Sequence, residues 1–192
     1  MKKIKFSNFI TYIAFQKKIF FLKTSKDKKN ILCIIPHMVV GGADKVILNI
    51  VETVSADEFN FHVVTTVQKK NPWIQEFQKR FKNVVIPLLK SENDKWIYKY
   101  YLIELVKKLK IDIVLTSNSW EGYQYASLLK TKFNHIKVVD ILHAEESTGA
   151  SNTVDYAIPY LDKRICISNR LKEYMLQRYK TSEEYIKYSN RL

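Results

Sequence analysis

At 192 residues, with 46% hydrophobic side chains and three tryptophans, the chain can hold one domain with a substantial core and is too apolar to be disordered. Its net charge of +13 is unevenly placed: residues 1–30 carry nine lysines against one acid, Asp27, so the remainder is only mildly basic. The only arginines are Arg80, Arg164, Arg170, Arg178 and Arg191; base edges are usually read by arginine, which argues against specific nucleic-acid recognition.

Residues 1–30 form a basic, aromatic-rich extension. Lys5, Ser7, Asn8 and the polar residues 16–18 interrupt each apolar run before it reaches bilayer-spanning length, and no signal-peptide core or cleavage site is present. Three readings stand for it: a solvated tail, a helix packed on the domain, or a segment lying on an anionic membrane surface. Residues 23–30, charged and poor in apolar side chains, read as a linker.

From residue 31 the chain alternates between two periods. Residues 31–35 are a short apolar run ended by Pro36, which favours a strand. After Gly41 and Gly42, the residues Val46, Ile47, Ile50, Val51 and Val54 recur at helical spacing, so one stripe faces a core. Residues 60–67 predict a strand, 73–81 a helix, and 84–88 a short strand that Pro87 puts near a sheet edge. A helix over 95–110 is expected to turn Trp96, Ile97, Tyr100, Tyr101, Leu105 and Val106 inward. A strand over 111–116, a helix over 121–133, strands over 136–142 and 163–168 and a helix over 169–180 complete the series. This alternation predicts an α/β fold, a doubly wound, Rossmann-like parallel sheet over residues 31–185, with 186–192 as a tail or the start of an interdomain linker.

In such a sheet, ligands sit beyond the carboxyl ends of the strands. The polar residues there are His37, Ser117, Asn118, Ser119, Trp120, His143, Glu145, Glu146, Ser168 and Asn169. Hydroxyls, amides and imidazoles suit a polyhydroxylated or phosphorylated ligand. Gly41 and Gly42 are two of only four glycines, and they stand at a helix N-terminus, whose free N–H groups favour phosphate. Plainer roles remain open for the same residues: a tight βα turn for the glycines, a strand-end cap for His143, a core position for Trp120 and helix caps for Asn118 and Ser168. His62 and His135 read as structural or surface residues, and Glu145 with Glu146 as a solvated loop. Cys33 and Cys166 read as buried, reduced cysteines without zinc-type spacing. No Gly-x-Gly-x-x-Gly turn, Gly-Lys-Ser/Thr loop or Gly-x-Ser-x-Gly elbow is present, which argues against dinucleotide, P-loop and α/β-hydrolase chemistry.

The opening strand and the Gly41-Gly42-Ala43-Asp44-Lys45-Val46 helix start resemble the signature of the family 4 glycosyltransferases, which have the two-domain GT-B fold. Three further segments are similar in order and spacing: KIDIVLT at 110–116, VVDILH at 138–143 and RICIS at 164–168, ahead of a helix. The likeness covers residue 31 to about residue 185. It implies the acceptor-binding N-terminal half of a retaining enzyme that uses a nucleotide sugar and needs no metal or other cofactor.

The resemblance further implies that Gly41, Gly42 and Ala43 face the donor diphosphate, and that His143 acts at the reacting centre or bonds the transferred sugar. His37, Asn118, Trp120 and Ser168 would face a glycan or lipid-linked acceptor. The logic of such a transfer is electrostatic, with hydrogen-bond donors stabilising the leaving phosphate. The family's basic clamp and paired glutamates belong to its second domain and have no counterpart before Leu192. The expectation is a half-enzyme, inactive alone and completed by a C-terminal domain in trans. The alternative is a non-catalytic module that binds a glycan, a membrane or a partner protein. The implied setting is bacterial surface polysaccharide or glycolipid assembly, in the cytoplasm or at the inner face of the membrane.

Overall fold

The computed structural model describes residues 16–23, 27–87, 95–145, 156–183 and 185–192. The apolar run after residue 30 becomes β1 (Lys29–Ile35), and the sheet grows from it in both directions. On one side lie β2 (Phe59–Thr65) and β3 (Asn83–Val85); on the other lie β4 (Ile113–Ser117), β5 (Lys137–Leu142) and β6 (Lys163–Cys166). The order is β3-β2-β1-β4-β5-β6, and every pairing is parallel. The strand order reverses between β1 and β4, which is where a ligand crevice opens in such sheets. β3 is an edge strand, as the nearby Pro87 suggested.

Alternate residues of β1 enter different cores. Ile31, Cys33 and Ile35 pack with Ile47 and Leu48 of α1 (Gly42–Thr53) and Phe77 of α2 (Ile74–Arg80). Leu32 and Ile34 belong to the core containing Tyr98, Leu102, Leu105 and Leu109 of α3 (Lys95–Leu109). The same core takes in Tyr123 of α4 (Trp120–Gln124), Leu129 of α5 (Ala126–Lys132) and Leu171, Met175 and Tyr179 of α6 (Asn169–Lys180). Each fully buried aliphatic or aromatic side chain here contributes about 1.5–3 kcal/mol.

Several elements depart from the sequence reading. The helix expected over 121–133 is two helices, broken at Tyr125, whose backbone turns to φ −97°, ψ 4°. Gly122 lets α4 lie close on β4; a Cβ there would come within 2.6 Å of Thr116 Cγ2. Tyr100 is exposed rather than inward, and Tyr98, Leu102 and Leu109 carry the buried face of α3 that the reading left incomplete; the side chain of Trp96 lies outside the described residues. Lys29 and Asn30 belong to β1, inside the stretch read as linker. A 3₁₀ turn (Ile186–Arg191) replaces the expected tail: Tyr185, Tyr188 and Leu192 pack on the core, and Arg191 Nη1 donates to the Ile158 and Pro159 carbonyls. Cys33 is buried, its thiol pushed up to about 12 by desolvation, while Cys166 is only part-buried.

Two buried polar groups lock the sheet. Arg164 of β6 reaches Asp140 of β5 through Nε and Nη2, the latter at 2.7 Å, and donates to Tyr179 Oη at 2.8 Å. Burial opposes its charge, but the Asp140 carboxylate prevails and raises the arginine pKa. At the amino-terminal ends of the strands, His62 Nδ1 lies 2.8 Å from Asn83 Nδ2, and its Nε2 lies 3.2 Å from Asn30 Oδ1. The amide donates to Nδ1, so Nε2 carries the proton of a neutral imidazole. Burial, and secondarily the Lys82 charge, lowers this histidine to about 4.

Candidate functional site

The carboxyl ends of β1, β4, β5 and β6 bring the predicted site residues to one edge of the sheet. Residues 36–41 cross from β1 to α1 and are fastened from outside. The Met38 amide donates to Asn71 Oδ1 at 2.8 Å, and the Val39 amide donates to Asp44 Oδ2 at 2.7 Å. Asp44 lies in the first turn of α1, where a carboxylate complements the helix dipole. Burial raises its pKa; the Val39 amide and His37 work the other way.

Gly41 is the N-cap of α1, with φ −169° and no side-chain cap. Its extended backbone is open to any residue, and a Cβ on Gly41 would meet only Val39 Cγ2, at 4.0 Å. A Cβ on Gly42 would meet nothing within 4 Å. Neither strain nor packing within the chain requires this pair. What it provides is bare backbone beside the unpaired N–H groups of a twelve-residue helix. Ala43 follows in the same turn, half-buried.

Beyond β4 the chain turns sharply at Asn118, whose φ of 51° lies in the left-handed region that asparagine tolerates. Asn118 is not the helix cap. That role falls to Ser119, whose Oγ accepts from the Gly122 amide at 3.2 Å and donates to Thr66 Oγ1 at 3.1 Å, tying β4 to the end of β2. Trp120, the first residue of α4, is 46% exposed and so is not part of the core. His143, half-buried beyond β5, has Nε2 2.8 Å from Ser117 Oγ, the last residue of β4. Desolvation lowers its pKa, so it is a neutral imidazole at pH 7, and its Nδ1 has no partner among the described residues. Ser168 does cap a helix: its Oγ accepts from the Leu171 amide. Glu145 pairs with Arg170 at 2.9 Å across the rim; Glu146 lies outside the described residues.

His37 is the loop's other imidazole, and its Nδ1 is buried without a hydrogen-bond partner. Thr65 Oγ1 and Thr116 Oγ1 share that condition, and they complete the set of such side-chain atoms among the described residues. All three stand at or just past the carboxyl ends of the central strands β1, β2 and β4. Of the polar residues named at the strand ends, a hydrogen bond brings His143 and Ser117 together. Ser117 and Ser119 were named only as strand-end polar residues, and the anchoring contacts of Asp44 and Asn71 were not read from the sequence. The Ser-rich run 117–119 after a strand was the available signal for two of them. His62 is buried and structural, and His135 is exposed. Among the described residues, no three His, Cys, Asp or Glu side chains cluster as a metal site, and no helix is long and apolar enough to cross a membrane.

The family model for Glycosyltransferase Family 4 matches residues 40–188, from the glycine loop to the final 3₁₀ turn. Among solved structures, a UDP-N-acetylglucosamine 2-epimerase superposes with a TM-score of 0.56 at 13% identity, over 82% of this chain and 47% of its own. A putative UDP-N-acetylglucosamine 2-epimerase from Listeria monocytogenes gives 0.53 at 14% identity, over 79% of this chain and 42% of its own. At such identities the likeness is one of fold. The chain spans less than half the length of these structures. No curated protein sequence matches it.

Proposed function

The chain belongs to glycosyltransferase family 4, and from that premise we propose that it supplies the acceptor-side half of a retaining, nucleotide-sugar-dependent glycosyltransferase. The observation that carries this reading is the bare Gly41–Gly42 backbone at the uncapped start of α1, on the crevice edge of the sheet. Glycines that neither strain nor packing demands make room for a group arriving from outside. The N–H groups and dipole at that point favour a diphosphate.

His143 takes the second role. Ser117 fixes one of its nitrogens, leaving Nδ1 to bond a sugar hydroxyl at the reacting centre. Trp120, exposed at the next strand end, offers an aromatic face to an acceptor sugar, with His37 and Asn118 beside the same crevice. Ser168 contributes through α6, which it caps, rather than as a free hydroxyl. Transfer then rests on hydrogen-bond donors stabilising the leaving phosphate, with no metal required. A second, donor-holding domain completes the site in trans or from further polypeptide, and the products belong to surface glycan or glycolipid assembly.

The test is sugar transfer from a panel of nucleotide sugars, by this chain alone and with the protein encoded immediately downstream. The reading expects transfer in the mixture, lost in Gly41→Val and His143→Ala. Transfer that both variants sustain at the wild-type rate would contradict it. Silence in every arm, from folded protein, favours the non-catalytic module.

A further inference from the structure

Residues 16–23 run along the edge strand β3, fastened from Ile86, just past its carboxyl end, to Asn83 at its start. Ile19 is 5% exposed and joins the core around α3. Lys18 Nζ donates to the Ile86 carbonyl at 3.2 Å, and burial lowers its pKa. Lys23 exchanges two bonds with Asn83 at the start of β3: its amide donates to Oδ1 at 3.0 Å, and its carbonyl accepts from Nδ2 at 2.7 Å. Between these attachments Phe20 and Phe21 stand 73% and 79% exposed, in edge-to-face contact with ring centroids 5.5 Å apart. No other large hydrophobic side chain among the described residues is so exposed.

Their surroundings are cationic. Lys17 and Lys23 are exposed on the same segment, and Lys108 Nζ, in the last turn of α3, sits 5.4 Å from the Phe20 ring centroid, while the neighbouring Lys107 pairs with Glu104. We propose that Phe20 and Phe21, held outward by Ile19 and flanked by Lys17, Lys23 and Lys108, form an insertion point for an anionic lipid bilayer surface. Two apolar rings in a lysine field combine burial in the acyl boundary with attraction to acidic headgroups.

Other occupants fit less well. A second copy of the chain would bring two such lysine fields together. A single-stranded nucleic acid would want free ring faces and arginine, but Lys108 covers the Phe20 face and no arginine precedes Arg80. The proposal does not depend on the function of the crevice.

The experiment is co-sedimentation of the full chain with vesicles of phosphatidylglycerol and phosphatidylcholine, against vesicles of phosphatidylcholine alone. Binding is expected on the anionic vesicles only, weakened by salt. Phe20→Ser/Phe21→Ser should lower it at least about tenfold, since two phenylalanine insertions are lost. Lys17→Glu/Lys108→Glu should lower it on anionic vesicles, and Gly41→Val should leave it unchanged. The phenylalanine variants should keep the wild-type melting temperature, because neither ring is in the core. No binding to anionic vesicles would overturn the proposal. So would equal binding by the double phenylalanine variant, or a self-associated chain that Phe20→Ser/Phe21→Ser converts to monomer.

Discussion

The two ends of the sheet satisfy their polar groups differently. At the amino-terminal ends of β1, β2 and β3, each buried polar side chain is bonded. His62 lies between Asn30 and Asn83, the Asn60 amide donates to Asn30, Lys82 reaches Asn60, and Asp112 accepts the Asn30 amide at 2.7 Å. At the carboxyl ends, His37 Nδ1, Thr65 Oγ1 and Thr116 Oγ1 are buried without partners, and the glycine pair is uncovered. A closed network of buried polar groups specifies the fold. An under-satisfied one costs stability and persists where a ligand is handled.

Breaking a closed region should therefore cost stability, and altering the open end should cost ligand. The largest loss is expected at the buried ion pair. Arg164→Met leaves the Asp140 carboxylate unpaired and should destabilise by about 3–5 kcal/mol in urea denaturation, most of it recovered in Arg164→Met/Asp140→Leu. Next comes acid. Burial lowers the folded-state pKa of His62 from its ordinary 6.5 to about 4. Its contribution is thus fully present above about pH 6.5 and lost as the pH falls toward 4, up to roughly 3 kcal/mol. Stability measured across that window should fall less steeply in His62→Gln.

The glycines sharpen the contrast further. Gly122→Ala forces a methyl against Thr116, so the melting temperature should drop by the equivalent of about 1–3 kcal/mol. Gly42→Ala meets nothing and should stay within about 0.5 kcal/mol of wild type. A large destabilisation in Gly42→Ala would mean that the pair serves the fold and would remove the strongest support for a ligand there.

How much of this was legible in the sequence differs from place to place. The strands were, because short runs such as residues 31–35 are buried on both faces and carry an uninterrupted apolar signal. Helix α6 was, because Ser168 and the spacing of Leu171, Met175 and Tyr179 mark its start and its face. Tyr100 was misplaced because α3 is apolar around most of its circumference, so periodicity alone could not choose the inward side. The break at Tyr125 was not legible, because no Gly or Pro marks that position. In the site, Gly41 and Gly42 could be named from rarity and position. The bond from Ser117 to His143 could not, since it joins two strands whose adjacency only the sheet order reveals.

The central claim is that the carboxyl-terminal end, and not the amino-terminal one, is built for a phosphorylated ligand. Backbone and imidazole NMR during titration with a nucleoside-diphosphate sugar tests it most directly, because weak binding by half of a site still moves resonances. The account predicts shifts confined to the amides of Gly41, Gly42 and Ala43 and the ring of His143, with Asn30, His62 and Asn83 unmoved. Shifts centred on His62 and Asn83, or none at the glycine loop at millimolar ligand, would contradict it.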